Sequence, residues 1–434
     1  MSEDSSLNST EIEKLSNIAE TCIWEQIATE DKARIDQAIA PDTSPPVAIV
    51  YPKTTQELAE VMTLASDRSW QVLPCGNGSK ISWGGLVHPV KIAIATTKLN
   101  HLIEHAIGDL TVTVEAGIKF SDLQKQLATA NQFLPLDPAY PETATIGGII
   151  ATADTGSLRH RYGGVRDLLI GFSFVRADGK IAKAGGRVVK NVAGYDLMKL
   201  FTGSYGTLGI ISQVTFRVYP LPPASTTVLL SGEKEGIDQA LRAVVASALT
   251  PTSLDLISPN LSTQLGFAKQ MGLILRFQSI PASVQQQAAI TLEISQKLGL
   301  KGLNLESQDE ANLWHRLPQQ IWNNADGTAT IAKIGVKPAK AVEAIASHAS
   351  IGLIHAGKGI GLLRFTDAER LSTMRDNCEN QGGFLTLLEA PATVKHKIDA
   401  WGSDRSNSIN LMRIIKQKFD PQHLLNPHRF IGGI

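Results

Sequence analysis

The first half of the chain combines hydrophobic patterns of two different periods. Thr54, followed three residues later by Glu57, is typical of a capping box that opens a helix. Apolar residues then recur at helical spacing, at Leu58, Val61, Met62 and Ala65. Short apolar runs between turn residues predict strands at 47–52, 71–74, 91–95 and 110–114. Helices and strands are interleaved irregularly, which predicts an α+β fold for this half.

After a proline-rich stretch at 220–223, helical and strand-like patterns alternate more regularly. Helices are predicted at 235–248, 284–298, 308–322 and 367–380, with another ending near 348. Strands are predicted at 254–257, 273–277, 329–336, 351–355, 360–365 and 384–389. We expect one continuous antiparallel sheet covered by helices. A last helix carries Leu411, Ile414, Ile415 and Phe419.

The 434 residues are too many for one ordinary hydrophobic core, so more than one domain is expected. Prolines at 41, 45 and 46 end a polar N-terminal leader, and the prolines at 220–223 mark a second boundary. The predicted domains are a leader at 1–46, a first domain at 47–222, a cap domain at 223–405 and a C-terminal segment at 406–434 that returns to the first domain.

Composition and charge exclude several classes of protein. The 41 basic residues balance the 41 acidic ones, so no net charge would attract nucleic acid. The three cysteines, Cys22, Cys75 and Cys378, are too widely spaced for a CxxC metal site and suit a reducing compartment. The polar N-terminus is unlike a signal peptide, and no apolar run reaches the roughly 20 residues of a membrane span. We therefore expect a cytoplasmic protein.

Groups of glycines suggest close approach of the backbone to a ligand. Residues 76–79, Gly-Asn-Gly-Ser, follow a predicted strand and offer successive N–H groups, which form a nest for phosphate oxygens. Neither GxxxxGK[ST] nor GxGxxG is present there, and a plain turn is the alternative. Gly147-Gly148 and the run 203–209 are glycine groups of the same kind. They indicate a large, flat cofactor, and for the run 203–209 the alternative is tight strand–turn packing.

The order and spacing of these motifs resemble the PCMH-type FAD-binding domain of the vanillyl-alcohol oxidase family. The resemblance rests on residues 76–79, Pro138, residues 145–148, the run 203–209 and the C-terminal stretch 419–427. It covers about 47–222 and implies a two-subdomain FAD-binding domain with a smaller cap domain. Within the family, the segment 188–197 is similar to the E subunits of glycolate oxidase (glycolate dehydrogenase).

This resemblance implies FAD as cofactor and assigns roles to groups of residues. Residues 76–79 would hold the pyrophosphate, Pro138 to Gly148 would follow the ribityl chain and phosphates, the run 203–211 would contact the adenine half or the ribityl region, and Asn426 would approach the flavin ring. The implied FAD-binding residues are Gly76, Asn77, Gly78, Ser79, Pro138, Thr145, Gly147, Gly148, Gly203, Gly206, Thr207, Ile211 and Asn426.

The chain departs from the family pattern at several positions. Covalent members attach the flavin through a His or Cys, often a His in the phosphate loop, whereas Ser79 follows Gly78 here and Cys75 precedes the glycines. Non-covalent FAD is therefore expected. Tyr205 stands where many relatives have Glu. The cap lacks the histidine-rich metal motif of catalytic relatives, its nearest remnant begins at His355, and we predict no metal site.

Two residues are candidates for catalysis, each with a structural alternative. His355 would accept a substrate proton, or it is a hydrogen-bonded histidine at the end of a strand. Arg161, with Arg159 and Arg166, would pair a substrate carboxylate, or these arginines fix a loop or face a partner. Asp167 and Asp196 are predicted to accept hydrogen bonds from loop amides. Lys190 and Lys199 are interpreted either as solvated or as neutralising the flavin.

Three functions remain open at this point. The resemblance favours an FAD-binding subunit that takes part in oxidation of glycolate, a 2-hydroxy acid, to glyoxylate. Its implied partners are a D-type flavoprotein subunit and an iron–sulfur F-type subunit, with peripheral attachment to the inner membrane through those partners as one option. The alternatives are a self-sufficient FAD-linked D-lactate or 2-hydroxyacid dehydrogenase, and a non-catalytic structural subunit with a vestigial flavin fold.

Overall fold

The chain folds into two compact units. A computed structural model describes residues 7–186, 195–322, 327–346, 351–403 and 408–434. The first unit comprises Met1–Thr155, Gly164–Pro220 and Lys395–Ile434, and the second comprises Gly156–Gly163 and Leu221–Val394. The short segment Gly156–Gly163 thus belongs to the second unit, although the chain before and after it belongs to the first unit.

The strands of the described residues are numbered in chain order. They are β1 Glu20–Ile23, β2 Ala48–Tyr51, β3 Val72–Cys75, β4 Ile92–Ala95, β5 Leu102–Ala106, β6 Thr111–Glu115, β7 Gln132–Phe133, β8 Leu169–Val175, β9 Ile181–Gly185, β10 Ile210–Arg217, β11 Tyr219–Pro220, β12 Ala224–Gly232, β13 Ser253–Ile257, β14 Met271–Ser279, β15 Lys301–Leu305, β16 Thr330–Gly335, β17 Gly352–His355, β18 Ile360–Phe365 and β19 Phe384–Glu389.

The α-helices are numbered in the same way. They are α1 Ser9–Ile18, α2 Thr29–Asp36, α3 Thr55–Asp67, α4 Phe120–Ala128, α5 Ile146–Thr152, α6 Arg159–Tyr162, α7 Val165–Leu168, α8 Leu197–Phe201, α9 Lys234–Ala246, α10 Pro259–Gln264, α11 Pro281–Lys297, α12 Ser307–Trp322, α13 Ala341–Ala346, α14 Ala368–Asn380, α15 Ala392–Lys397 and α16 Ile409–Phe419. None of the described helices is both long and apolar enough to cross a bilayer.

The first unit contains a mostly parallel sheet in the order β1-β2-β4-β3. Strands β2 and β3 both run parallel to β4, whereas β1 is antiparallel to β2. Helix α3 follows β2 and begins at Thr54, whose hydroxyl accepts the Glu57 N–H. The C-terminal end of the chain extends this sheet, because the Val72 N–H donates to Leu424 and the Asn426 N–H donates to Val72. Residues more than 350 positions apart are thereby joined beside the glycine-containing residues 76–79.

The second large sheet of the first unit is antiparallel, in the order β5-β6-β10-β8-β9. One face packs against α4, α5 and α8 through a cluster of buried apolar side chains, which includes Val114, Phe174, Phe201 and Val214. Strand β10 follows directly after the glycine run 203–209. The sheet therefore fixes one wall of the space between these glycines and residues 76–79.

The second unit is built on an eight-stranded antiparallel sheet in the order β15-β12-β14-β13-β17-β18-β16-β19. All of its neighbouring strands pair antiparallel. Helices such as α9, α11 and α12 cover it, with buried apolar residues at helical spacing. The predicted α+β class and the single helix-covered antiparallel sheet of the cap are confirmed.

Several elements differ from the sequence prediction. Gly147 and Gly148 lie in helix α5, a segment for which the sequence patterns predict no helix. Strands β12 and β15 had no clear signal, because the exposed strand β15 lacks an alternating apolar face. The interpreted leader is part of the first unit: β1 pairs with β2, and Leu15 and Ile35 are buried in its core. Residues 395–403 also belong to that unit.

Candidate functional site

The glycine motifs of the first unit converge on one cleft of about 770 Å³, part of which is open to solvent. The cleft is lined by Pro74, Cys75, Gly76, Asn77, Gly78, Ser79, Lys80, Ile81, Thr96, Thr145, Gly147, Gly148, Ala151, Thr152, Ser204, Tyr205, Gly206, Gly209, Ile210, Ile211, Asn426 and Arg429.

Residues 76–79, here called the glycine loop, present a row of free donors. The loop follows β3 and closes with a turn in which the Ile81 N–H donates to the Gly78 carbonyl. Within the part of the chain that the structure describes, the N–H groups of residues 76–79 donate to no protein acceptor. Successive free amides of this kind form an anion-binding nest. The loop is therefore suited to a phosphate group.

Gly76 is required by close packing. A Cβ at this position would lie 2.0 Å from the Thr145 hydroxyl oxygen. Thr145 caps helix α5, because its hydroxyl accepts the Gly148 N–H. A side chain at residue 76 would thus displace both the glycine loop and the start of α5. Gly78 is glycine for another reason, since its φ of +75° lies in the left-handed region.

The two adjacent glycines of α5 leave room for a ligand, but their N–H groups are not free to bind it. The Gly147 N–H donates to the Ala116 carbonyl and the Gly148 N–H to Thr145. A Cβ on Gly147 would lie 3.1 Å from the Ala116 Cβ. Both amides are occupied, so these glycines leave room along the cleft wall.

The C-terminal return forms the opposite part of the wall. Asn426 is buried and donates its Nδ2 to the Tyr205 carbonyl at 2.6 Å, while its Oδ1 is buried without a partner. Gly206 has a φ of +73°, and a Cβ there would lie 3.0 Å from Asn426 Nδ2. The free Oδ1 is an acceptor available to a ligand.

Two buried cations also line the cleft. Lys80 pairs with Asp154 at 2.7 Å, and both side chains are buried. Asp154 also accepts the Ala139 N–H at 2.9 Å, which fixes the residue next to Pro138. Burial lowers the pKa of Lys80, and the Asp154 carboxylate opposes this shift. Arg429 donates Nη2 to the carbonyls of Ile81 and Trp83.

The nucleophilic side chains of the cleft are held protonated. Burial raises the pKa of the Cys75 thiol to about 12, and burial also raises the pKa of Tyr205. A thiol with a raised pKa is a poor nucleophile at neutral pH. Among the described lining residues there is no histidine.

Most of the residues assigned by the motifs lie at this cleft. Ten of the thirteen line it: Gly76, Asn77, Gly78, Ser79, Thr145, Gly147, Gly148, Gly206, Ile211 and Asn426. The other three support its walls. Pro138 is buried beside Ala139, the Gly203 N–H donates to Ile150, and the Thr207 carbonyl accepts from Lys416.

Sequence reasoning missed Arg429 and the pair of Lys80 with Asp154 as cleft features. Lys80 directly follows the glycine loop, so its position in the motif was a usable signal. Arg429 carried no such signal, since only the return of the C-terminus brings it to the loop.

The second unit holds the other candidate, His355. Its Nδ1 lies 2.6 Å from Asp255 Oδ1, across the paired strands β13 and β17, and Asp255 is fully buried. His355 is thus a hydrogen-bonded histidine at the end of strand β17. No hydrogen bond of Nε2 exists within the described residues. The pair has the arrangement of an oriented general base, with a carboxylate that holds one ring nitrogen.

His160 lies close to this pair and belongs to the same unit. A Cβ on Gly357 would come within 2.6 Å of its ring, and its Nδ1 is buried without a partner. Burial lowers the pKa of His160, and the positive charges of Lys358, His355 and Arg161 act in the same direction, whereas Asp255 opposes them.

The remaining candidates lie elsewhere. Arg161 is exposed on α6 of the second unit, and Arg166 lies 3.9 Å from Asp167 in the first. Asp167 accepts the Gly164 N–H and Asp196 the Lys199 N–H, as predicted. Lys199 itself pairs with Asp196 at 2.8 Å. Lys190 and the segment 188–194 lie outside the described residues.

Among the described residues, no group of three or more His, Cys, Asp or Glu side chains has a geometry that could hold a metal ion.

Comparison with known proteins decides the nature of the cleft. A family model described as an FAD binding domain matches residues 46–185, which include the glycine loop, α5 and β8. Residues 46–185 form an FAD-binding domain. The free amides of the glycine loop, the free Asn426 Oδ1 and the buried Arg429 suit the phosphates and polar edges of that cofactor. The resemblance to PCMH-type flavoproteins and the prediction of FAD are confirmed.

Curated relatives include proteins named for 2-hydroxy acid oxidation. The chain is 32% identical to glycolate oxidase subunit GlcD of Bacillus subtilis over 52% of this chain and 48% of that protein. It is 40% identical to glycolate oxidase subunit GlcE of Escherichia coli over 28% of this chain and 35% of that protein. A D-lactate dehydrogenase of Archaeoglobus fulgidus is 25% identical over 97% of this chain and 99% of that protein. The matches to both glycolate oxidase subunits span less than half of those subunits' length.

Solved structures share the fold over nearly the whole chain. An alkyldihydroxyacetonephosphate synthase matches with a TM-score of 0.74 at 20% identity, over 98% of this chain and 87% of that one. A p-cresol methylhydroxylase with substrate bound matches with a TM-score of 0.74 at 15% identity, over 98% and 97%. At these identities the likeness concerns the fold alone.

Proposed function

We propose that the protein is the FAD-binding subunit of a complex that oxidises glycolate, or a closely related 2-hydroxy acid, to the 2-oxo acid. The observation that carries this proposal is the row of free amides at residues 76–79, which faces the cleft of an FAD-binding domain. When bound, FAD can accept two electrons and a hydrogen, which is the redox chemistry that a complex oxidising a 2-hydroxy acid requires. The protein's own groups bind and orient the cofactor.

We further propose that FAD is held without a covalent bond. Cys75 is the cysteine of the cleft, and its protonated thiol does not favour attack on the flavin. The free amides and the buried polar atoms supply non-covalent contacts instead. Acid precipitation should therefore release the flavin into the supernatant.

The substrate class is supported by the names of the relatives. Both glycolate oxidase subunits and the D-lactate dehydrogenase are named for oxidation of a 2-hydroxy acid. The alkyldihydroxyacetonephosphate synthase and the p-cresol methylhydroxylase share only the fold, so their chemistry does not bear on the proposal.

The partners are proposed from electron transfer. Iron–sulfur clusters are held by four cysteine thiolates, whereas this sequence has three scattered cysteines. We therefore place onward transfer on an iron–sulfur F-type subunit, and the main substrate site on a D-type flavoprotein subunit. In this arrangement the chain is cytoplasmic, and any attachment to the inner membrane would be made through its partners.

The second candidate function is a self-sufficient 2-hydroxyacid dehydrogenase. The pair of His355 with Asp255 favours it, because an oriented imidazole with a free Nε2 suits abstraction of a hydroxyl proton. In that case, His355→Gln would abolish turnover by the isolated chain. Flavin content would be unchanged, since His355 does not line the cleft.

One experiment separates the candidates. The chain is purified alone and together with its native partners, and reduction of an artificial dye is followed with glycolate and with D-lactate. The proposal expects FAD on the isolated chain and glycolate turnover only with partners. Turnover of D-lactate by the isolated chain would establish the second candidate instead.

A vestigial flavin fold is tested by removing the flavin. Gly148→Leu fills the cleft wall, and Gly78→Val strains a left-handed backbone. If the complex keeps its activity after either variant has lost FAD, the chain is a structural subunit.

A further inference from the structure

Arg429 is a buried cation whose charge has no anionic partner. Its side chain is 4% exposed and lines the cleft. Nη2 donates to two carbonyls, of Ile81 and Trp83, whereas Nη1 is buried without any partner. Within the described residues no carboxylate forms an ion pair with it. The guanidinium thus retains both a full charge and a free donor.

The neighbouring cation makes the contrast clear. Lys80 also lines the cleft, but its charge is balanced by Asp154 at 2.7 Å. Burying an unpaired charge is strongly unfavourable unless a partner compensates it. The charge of Lys80 is balanced by the Asp154 carboxylate, whereas the charge of Arg429 has no carboxylate partner among the described residues. The cleft therefore carries one uncompensated positive charge and attracts an anion.

The position of Arg429 indicates which anion. The carbonyls that hold its Nη2 belong to the residues that follow the glycine loop, and the Ile81 N–H closes the turn of that loop on Gly78. The unpaired guanidinium and the free amides of residues 76–79 line the same cleft. Amide nests and arginine forks are both typical ligands of phosphate oxygens.

We propose that Arg429 is a cofactor-binding residue that pairs with the diphosphate of FAD through its free Nη1. This inference rests on the proposed function, because it requires FAD in the cleft. The glycine loop would bind the same group through its amides. The C-terminal return then has a chemical role as well as a structural one, because it brings a cation to the phosphate site from the far end of the chain.

A comparison of two ligands tests this assignment. FAD contains the diphosphate, whereas riboflavin contains the same ring system without any phosphate. Binding of each ligand to the apoprotein is measured by flavin fluorescence for wild type, Arg429→Gln and Arg429→Lys. Arg217→Gln is the matched control, since Arg217 is an exposed arginine of the same unit that stacks on Tyr219.

We expect Arg429→Gln to weaken FAD binding roughly 10- to 100-fold, the range for a hydrogen bond to a charged group, with little change for riboflavin. Arg429→Lys should recover part of the loss, because it keeps the charge but not the fork. ADP should compete with FAD on the wild type and much less on Arg429→Gln. Arg217→Gln should leave every affinity at the wild-type value.

The test compares the loss of FAD affinity with the loss of riboflavin affinity, so it remains valid if the variant is less stable than the wild type. Partial unfolding weakens both ligands equally, so an equal loss for FAD and riboflavin would assign Arg429 a structural role and overturn the inference. A shift of the flavin reduction potential without any loss of ADP competition would place it at the ring instead. If the wild type binds neither FAD nor ADP, the proposed function itself fails.

Discussion

At the scale of single residues, the cleft depends on atoms that are left free. The amides of residues 76–79, the Asn426 Oδ1 and the Arg429 Nη1 have no partner within the described chain. Buried polar groups are usually paired, so the two buried unpartnered atoms, Asn426 Oδ1 and Arg429 Nη1, are unusual for a purely structural region. The simplest physical account is a ligand that carries both phosphate acceptors and polar ring edges.

Gly76→Ala tests the packing of the glycine loop. The new Cβ would lie 2.0 Å from the Thr145 hydroxyl, so the loop or the start of α5 must move. Overpacking of this kind costs about 1–3 kcal/mol, and we expect FAD affinity to fall at least tenfold. Titration of the apoprotein with FAD measures this affinity. Gly108→Ala is the matched control, because nothing lies within 4 Å of its Cβ. Equal affinities for the two variants would contradict the packing argument.

His160 should make the second unit sensitive to mild acid. Its pKa is lowered in the folded state, so the unfolded chain takes up the proton first as the pH falls below about 6.5. Folding stability is therefore lost in that window and is fully present above it. Lys358, His355 and Arg161 act against the charged form, and Asp255 acts in its favour.

Thermal unfolding between pH 7.5 and pH 5 checks this prediction. We expect His160→Gln to flatten the fall in melting temperature that the wild type shows. The control is His315→Gln, an exposed histidine of α12 in the same unit. A wild-type slope that persists in His160→Gln would show that other groups cause it.

At the scale of elements, α16 holds the C-terminal return in place. Lys416 is buried on this helix and donates to Asp420 and to the carbonyls of Thr207 and Leu425. Asp420 in turn accepts the N–H groups of Leu424 and Leu425. These bonds connect the glycine run 203–209 to the residues just before Asn426. The helix thus positions two parts of the cleft wall with one side chain.

Lys416→Met should therefore affect both stability and cofactor binding. It leaves the fully buried Asp420 without its cation, which costs about 3–5 kcal/mol. Urea unfolding of the apoprotein measures the first effect and FAD titration the second. Lys418→Met, at an exposed position of the same helix, should change neither. A destabilisation below about 1 kcal/mol would mean that the ion pair is not the main anchor.

Elements with strong local signals could be predicted from the sequence. Thr54 and the apolar residues 58–65 gave α3, and the alternating residues of β6 gave a strand at nearly its observed position. Helix α5 could not be predicted, because its two glycines have low helix propensity and only the Thr145 cap and packing on Ala116 hold them there. Tertiary contacts overrode local preference at that point.

At the scale of the whole molecule, the cleft is assembled from distant parts of the chain. The glycine loop, α5, the run before β10 and the C-terminal return all contribute to one unit. The family resemblance, which rests on the order of the motifs, implied thirteen cofactor-binding residues, and ten of them line the cleft. The pairing of Lys80 with Asp154 and the approach of Arg429 are long-range contacts, for which the local sequence has no pattern.

The cofactor cleft and the candidate general base lie in different units. The cofactor cleft belongs entirely to the first unit, whereas the pair of His355 with Asp255 belongs to the second. Variants in one unit can therefore be assayed separately for flavin binding and for turnover. A variant that loses FAD should retain the His355 pair, and His355→Gln should retain FAD.

The most direct test of the central claim is an absorbance spectrum of the chain purified from its native source, followed by acid precipitation. A non-covalent FAD site predicts flavin bands with about one FAD per chain, all of it recovered in the supernatant. Flavin that stays with the precipitate would contradict the non-covalent site. A spectrum without flavin bands, unchanged after FAD is added, would contradict the FAD-binding cleft itself.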